Sequence, residues 1–306
     1  MTRIAIQCLP SSARDARRLA ARLGISLHEI ELHRFPDGEL RVTVGAPAST
    51  TIIYASLDQP NEKLIALSFA AEALRRGGAE RIVLLAPYLC YMRQDAAFQQ
   101  GEAISQKVVG KLLAAIVDRV ITVDAHLHRT ERIETVFPGI KADDLSAMPA
   151  IAETLRSSGI DPDTVIVGPD AESKPWVADL AGRLNLAHCV AQKVRRGDRS
   201  VKIELGPAKQ IRGRPVLLVD DMVSSGGTLK ACAEALVAAG AVSIDVVITH
   251  ALFPPDLTGE IVGAGIRSIR STNSVPHPTN AIVLDDVFLA ALRDEADNAP
   301  APETAQ

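Results

Sequence analysis

The richest chemistry in the sequence lies in Val216-Leu-Leu-Val-Asp-Asp-Met-Val-Ser-Ser-Gly-Gly-Thr, where a four-residue apolar run meets two adjacent acids and then small residues and glycines. Carboxylates at the end of an apolar strand are costly unless hydroxyl donors or a cation meet them. Asp220 and Asp221 therefore read as acceptors for sugar hydroxyls or as holders of a hydrated Mg2+. Ser224, Ser225, Gly226, Gly227 and Thr228 follow as a turn into a helix, whose convergent N–H groups and positive dipole end suit a phosphate. The combination fits a sugar phosphate. The alternative, a strand-to-helix turn with acids that merely cap the helix, leaves that cost unexplained. The segment is not a Walker loop, because Thr228-Leu229-Lys230 follows the glycine pair where that motif needs Lys and then Ser or Thr. No G-x-G-x-x-G lies on the first strand–helix turn.

Other segments place polar groups at strand ends. In Val120-Ile-Thr-Val-Asp-Ala-His-Leu-His-Arg, the residues Asp124, His126 and His128 alternate and share one face if the strand continues that far, which lets His126 reach a metal or a phosphate. Gly168-Pro-Asp-Ala-Glu-Ser-Lys aims Asp170 at a strand-end crevice. Lys193 and Arg195 fall on one side of a strand and can meet the same anion, as stabilisation of a phosphoryl group requires. Phe35-Pro-Asp-Gly-Glu reads locally as an ordinary type I or II turn. The stretch from Pro87 to Glu102 lacks helical periodicity and reads as a long mobile loop, of the kind that closes over a substrate.

Short β-branched runs must position these groups: Ile4–Cys8, Thr51–Ala55, Arg81–Ala86, Val120–Asp124, Thr164–Gly168, Val216–Asp220 and Asp245–Thr249. Most are apolar on both faces and alternate with helical segments, which predicts an α/β fold with mainly parallel sheets flanked by helices. Ser12 is placed to open a helix closed by Gly24, and Thr228–Ala239 is stopped by Gly240. The order of pieces repeats, the strand before Pro87 matching the one before Pro169 and the one ending at Asp124 matching the one ending at Asp220. This predicts two similar domains, 1–145 and 146–297, followed by a disordered polar tail from 298 to 306.

The 306 residues are 47% hydrophobic and 23% charged with a formal net charge of −4, so no overall basic field recruits nucleic acid. The lack of a leader-like or membrane-length apolar run predicts a soluble cytoplasmic protein with no membrane contact. The four cysteines are far apart and sit in apolar stretches, reading as buried free thiols.

Taken in order, Phe35-Pro-Asp-Gly-Glu, Tyr91-Met-Arg-Gln-Asp, Val123-Asp-Ala-His, Gly168-Pro-Asp-Ala, Lys193-Val-Arg195 and Val219-Asp-Asp-Met-Val-Ser-Ser-Gly-Gly-Thr resemble the ribose-phosphate pyrophosphokinase (PRPP synthetase) family, to about residue 290. The mobile loop is similar to the archaeal-type branch. The resemblance implies two phosphoribosyltransferase-like domains, with the active site between them and completed by a neighbouring subunit of a homo-oligomer. It implies Mg2+-dependent transfer of the pyrophosphoryl group of ATP to the C1 hydroxyl of ribose 5-phosphate, releasing AMP. By resemblance, Phe35, Asp37 and Glu39 form an adenine-binding turn lent by the adjacent subunit, and Arg93 and Gln94 contact ATP. His126 and Asp170 sit at the Mg2+–nucleotide phosphates. Asp220 and Asp221 hold the ribose hydroxyls, Ser224 to Thr228 the 5-phosphate, and Lys193 and Arg195 the developing charge. Two features depart from the pattern: Ser224 stands where the family often has Asp, and Ala96 and Ala97 stand where basic residues are common. A non-catalytic regulatory homologue and a phosphoribosyltransferase are the competing expectations.

Overall fold

A computed structural model describes residues 3–127, 129–196, 200–204 and 211–297, with the backbone alone over 192–196, 200–204 and 296–297. His128 and the expected tail at 298–306 lie outside the described residues. The chain forms two compact units, one running to Leu145 and regaining the chain at Asp285, the other spanning Ser146–Leu284.

The first unit runs β1 (Ile4–Cys8), α1 (Ala13–Leu23), β2 (Ser26–Glu29), the hairpin β3 (Glu31–Arg34) and β4 (Leu40–Thr43), β5 (Thr50–Tyr54), α2 (Pro60–Arg76), β6 (Arg81–Ala86), α3 (Ser105–Ala114), β7 (Arg119–Val123) and β8 (Lys141–Leu145). Its main sheet has the order β2-β1-β5-β6-β7-β8, with every neighbouring pair parallel. All residues of β5 and β7 are buried, as expected for strands covered on both faces. Helix α1 buries Ala16, Leu19 and Ala20 at helical spacing and stops at Gly24, whose φ of 67° is the left-handed cap glycine adopts without strain. Ser12 opens that helix but does not cap it with its side chain; its Oγ instead accepts the N–H of Ser56 at 3.1 Å. The core gathers Ile53, Leu67, Leu84, Leu113, Val120 and Phe137.

The second unit runs α4 (Met148–Ser157), β9 (Val165–Gly168), α5 (Lys174–Leu184), β10 (Ala187–Val190), the hairpin β11 (Gln192–Arg196) and β12 (Ser200–Glu204), β13 (Pro215–Val223), α6 (Gly227–Ala238), β14 (Ser243–Ala251), α7 (Thr258–Gly263), β15 (Ser268–Thr272) and β16 (Asn280–Ile282). Its main sheet, again parallel throughout, has the order β10-β9-β13-β14-β15-β16. Both sheets therefore share one topology, and each carries an antiparallel hairpin between its second and third strands. This corrects the register of the repeat read from sequence. β13 matches β5 rather than β7, and β9 matches β1 rather than β6. The strands are uniformly apolar, so their composition does not distinguish one repeat position from another.

Helix α8 (Asp285–Asp297) belongs to the first unit, whereas chain order placed it in the second. Arg18 Nε meets Asp285 Oδ2 at 2.5 Å, Arg81 Nε meets Glu295 Oε2 at 2.8 Å, and Arg119 Nη1 meets Glu295 Oε1 at 2.9 Å. Arg119 is buried and is also held by Asp143 at 2.7 Å. Phe288 packs edge-on against Tyr54, with ring centroids 6.2 Å apart. Leaving one partner of such a buried pair uncompensated costs about 3–5 kcal/mol, which anchors the returning helix. Among the described residues no helix is long and apolar enough to cross a membrane, and the four cysteines are free thiols.

Candidate active site

In an open parallel sheet, ligands bind beyond the carboxyl ends of the strands where the strand order reverses. In the second unit that point lies between β9 and β13. β9 pairs with β13 only as far as Val167 opposite Leu218, and β13 continues to Val223 beside β14, so Asp220 to Val223 overhang the end of β9. The acids thus stand within the strand rather than after it. The same crevice receives the Asp170 turn. Asp170 Oδ1 accepts the N–H groups of Glu172 at 3.1 Å and Ser173 at 3.3 Å, and Ser173 Oγ donates to the Asp170 carbonyl at 2.6 Å. A side chain at Gly168 would put its Cβ 2.0 Å from Ser173 Oγ, so glycine is what lets this turn close against the strand.

After β13, Gly226 takes the left-handed conformation at φ 73° and stands at the N-cap of α6, where no side chain caps the helix. The N–H groups of Ser224, Ser225 and Gly226 donate to no partner among the described residues. The first N–H groups of α6 have no intrahelical acceptor by construction. Ser224, Ser225 and Gly227 are exposed, Thr228 is half-buried, and Gly226 is buried with its missing Cβ 2.9 Å from Ile261 Cδ1. The result is an open row of donors at a helix N-terminus, suited to a phosphate.

Burial, and then the carboxylates of Asp221 and Asp170, push Asp220 well above the ordinary carboxylate range. Asp221 is buried, and its N–H donates to Asp220 Oδ1 at 3.1 Å. Because the folded state raises this pKa, the associated stability is present at acid pH and is lost as pH rises through the folded value of Asp220. Asp220→Asn is therefore expected to raise the Tm of the ligand-free protein at pH 7.5 by roughly 2–4 °C, the scale of about 1 kcal/mol in a domain of this size. Differential scanning calorimetry checks this, and a lowered Tm would contradict the repulsion.

Lys193 and Arg195 lie on β11, opposite Ile203 and Val201 of β12, so strand alternation puts both on one side of the hairpin. Their side chains lie outside the described residues.

In the first unit, Phe35 to Glu39 form the tip of the β3–β4 hairpin. Phe35 N–H donates to the Glu39 carbonyl at 2.8 Å, Gly38 takes φ 94°, and Asp37 Oδ1 accepts the Glu39 N–H at 3.1 Å. The Phe35 ring is 38% exposed and rests edge-on against His33 at 4.8 Å. The segment ahead of His126 differs from its sequence reading. β7 ends at Val123, and Asp124 turns the chain with φ 40°, a conformation Asp tolerates better than most residues. The alternation that would have aligned Asp124 with His126 is broken there, and Ala125 N–H is instead fixed by Asp144 Oδ1 at 2.9 Å.

The stretch from β6 to α3 crosses without strand or helix. Arg93 is exposed, and Gln94 is half-buried, its Oε1 accepting Ser105 Oγ at 3.1 Å. Asp95, which sequence reasoning gave no role, accepts the N–H of Arg129 at 2.9 Å and its Nη1 at 2.8 Å. Burial works to raise the pKa of Asp95, but these bonds hold it below the ordinary carboxylate range. The signal that could have paired the two was charge, since residues 94–106 contain acids and no Lys, Arg or His.

Comparisons with known proteins agree with this architecture. Residues 4–116 match the family model of the N-terminal domain of ribose phosphate pyrophosphokinase, and residues 145–260 match the phosphoribosyl transferase domain. A ribose-phosphate pyrophosphokinase of Methanopyrus kandleri is 31% identical over 86% of this chain and 89% of its own. Ribose-phosphate pyrophosphokinase 2 of Archaeoglobus fulgidus is 34% identical over 87% and 92%. A crystal structure of phosphoribosylpyrophosphate synthetase from Mycobacterium smegmatis has the same fold, with a TM-score of 0.84 over 96% of this chain and 99% of that one at 23% identity. With both units matched, and relatives at this identity covering most of each chain, the protein belongs to the ribose-phosphate pyrophosphokinase family.

Proposed function

We propose that the first unit holds the nucleotide and the second the ribose 5-phosphate. The enzyme transfers the pyrophosphoryl group of ATP to the C1 hydroxyl of ribose 5-phosphate, giving PRPP and AMP. The observation that carries the division is the open row of N–H donors at Ser224 to Thr228, beside the overhanging acids. The turn takes the 5-phosphate, and Asp220 and Asp221 accept hydrogen bonds from the ribose hydroxyls. This orients O1 for attack on the β-phosphorus while the bond to the α,β-bridging oxygen breaks and AMP leaves. Arg93, Gln94 and His126 contact ATP, and Lys193 and Arg195 neutralise charge on the transferred group.

Mg2+ fits the donor set. Asp170, Asp220 and Asp221 are close enough that their charges raise the pKa of Asp220, a repulsion a divalent cation relieves. Among the described residues no three His, Cys, Asp or Glu side chains form a cage for an ion. That suits an ion bound chiefly by phosphates and water. When bound, it would supply charge neutralisation at the phosphates.

The enzyme works as a homo-oligomer in which the Phe35, Asp37 and Glu39 turn serves the neighbouring subunit. An exposed phenylalanine at a hairpin tip supports this. Phe35→Ala is expected to raise the KM for ATP by about tenfold, the loss of one aromatic contact. Mixing Phe35→Ala with Lys193→Ala subunits and allowing exchange should restore part of the activity, because some sites then receive both intact residues. No recovery in verified mixed oligomers would contradict sharing.

A further inference from the structure

Arg129 stands three residues beyond His126, in a setting unlike an ordinary surface ion pair. Its partner carboxylate, Asp95, is 1% exposed, while the Arg129 side chain is 62% exposed. Asp95 takes the backbone N–H and Nη1 of Arg129, and the guanidinium carbon lies 5.2 Å above the ring of Phe98. One edge of the guanidinium and its plane are thereby fixed. Nε and Nη2 donate to no partner among the described residues. Those two N–H groups form the parallel fork with which arginine grips phosphate oxygens.

Charge gives the fork its occupant. Between Arg93 and Lys107 the chain carries Asp95 and Glu102 and no cation. Glu102 is turned inward, accepting the N–H groups of Phe98 at 2.8 Å and Gln99 at 3.2 Å. A polyanionic nucleotide beside this stretch meets negative charge unless a cation comes from elsewhere, and Arg129 comes from the segment after β7. The cost of ordering a long side chain is met before any ligand arrives, which favours binding.

We propose that Arg129 is a further nucleotide-binding residue, offering Nε and Nη2 to a phosphate oxygen of ATP, with Asp95 as the positioning residue that orients it. This rests on the placement of the nucleotide against Arg93, Gln94 and His126. A surface latch that merely orders the loop would affect all nucleotides alike. A phosphate contact discriminates by phosphate number.

The test is calorimetric titration of the full-length protein with Mg2+ and the non-hydrolysable β,γ-methylene analogue of ATP, with AMP and with adenosine, for wild type, Arg129→Gln, Arg129→Lys and Arg93→Ala. Arg129→Gln is expected to weaken the triphosphate analogue by about 10- to 100-fold, the range for a lost charge-assisted hydrogen bond, and to leave adenosine within twofold. Arg129→Lys, which keeps the charge and loses the fork, should fall between. Asp95→Asn should raise the KM for ATP with a smaller change in kcat. Equal weakening of all three ligands by Arg129→Gln, or no weakening, overturns the inference. If Arg93→Ala weakens the analogue and Arg129→Gln does not, the inference fails and the nucleotide placement stands. If neither weakens it, both fail.

Discussion

Lys193→Ala is expected to lower kcat by about 10²-fold or more, the scale of losing one preorganised donor aimed at transition-state charge. The β11–β12 register sets Lys193 and Arg195 on the same side of a hairpin. Attack by O1 on the β-phosphorus places charge on the oxygens of the group in flight, and the protein contributes mainly positioning and charge. An interaction made chiefly in the transition state appears in kcat, with the KM values for ATP and ribose 5-phosphate changing far less. Single-turnover measurement of AMP formation isolates the step from product release. A wild-type rate would remove Lys193 from the mechanism.

Gly226→Val is expected to abolish detectable ribose 5-phosphate binding in a calorimetric titration. Gly226 combines φ 73° with a Cβ position 2.9 Å from Ile261 Cδ1, so a branched side chain meets both backbone strain and a buried neighbour at the point where the N–H groups converge. Gly227 is the informative contrast. The sequence gives both glycines equal weight, but the nearest atom to a Cβ on Gly227 is Ser225 Oγ at 3.8 Å. Gly227→Ala should therefore leave the fold intact, with Tm within about 1–2 °C of wild type, as for an exposed site without strain. Unchanged sugar binding in Gly226→Val would place the phosphate elsewhere.

The contrast shows where sequence reading succeeds and where it stops. The strand runs at Ile4, Arg81 and Val216 were legible because a strand covered on both faces must be apolar along its length. Asp220 and Asp221 stood out because acids at the end of such a run need a partner. The extension of β13 to Val223 was not legible, since it is set by pairing with β14 across a long stretch of chain. Nor was the break at Asp124, where one residue with positive φ ends an alternation that the spacing of His126 suggested. The correct register of the repeat depends on sheet order, which uniformly apolar strands do not encode. The return of α8 to the first unit depends on Arg18, Arg81 and Arg119 finding Asp285 and Glu295, ordinary surface-type residues until the fold brings them together. The pairing of Asp95 with Arg129 was hidden for the same reason.

The most direct test of the central claim is AMP and PRPP formation by the purified protein from ATP, with ribose 5-phosphate and Mg2+ each present or withheld. AMP and PRPP are expected in equal amounts only when both are present, with Gly226→Val silent under the same conditions. Folded wild-type protein that binds ribose 5-phosphate yet forms no AMP, or AMP formed without the sugar, would contradict it.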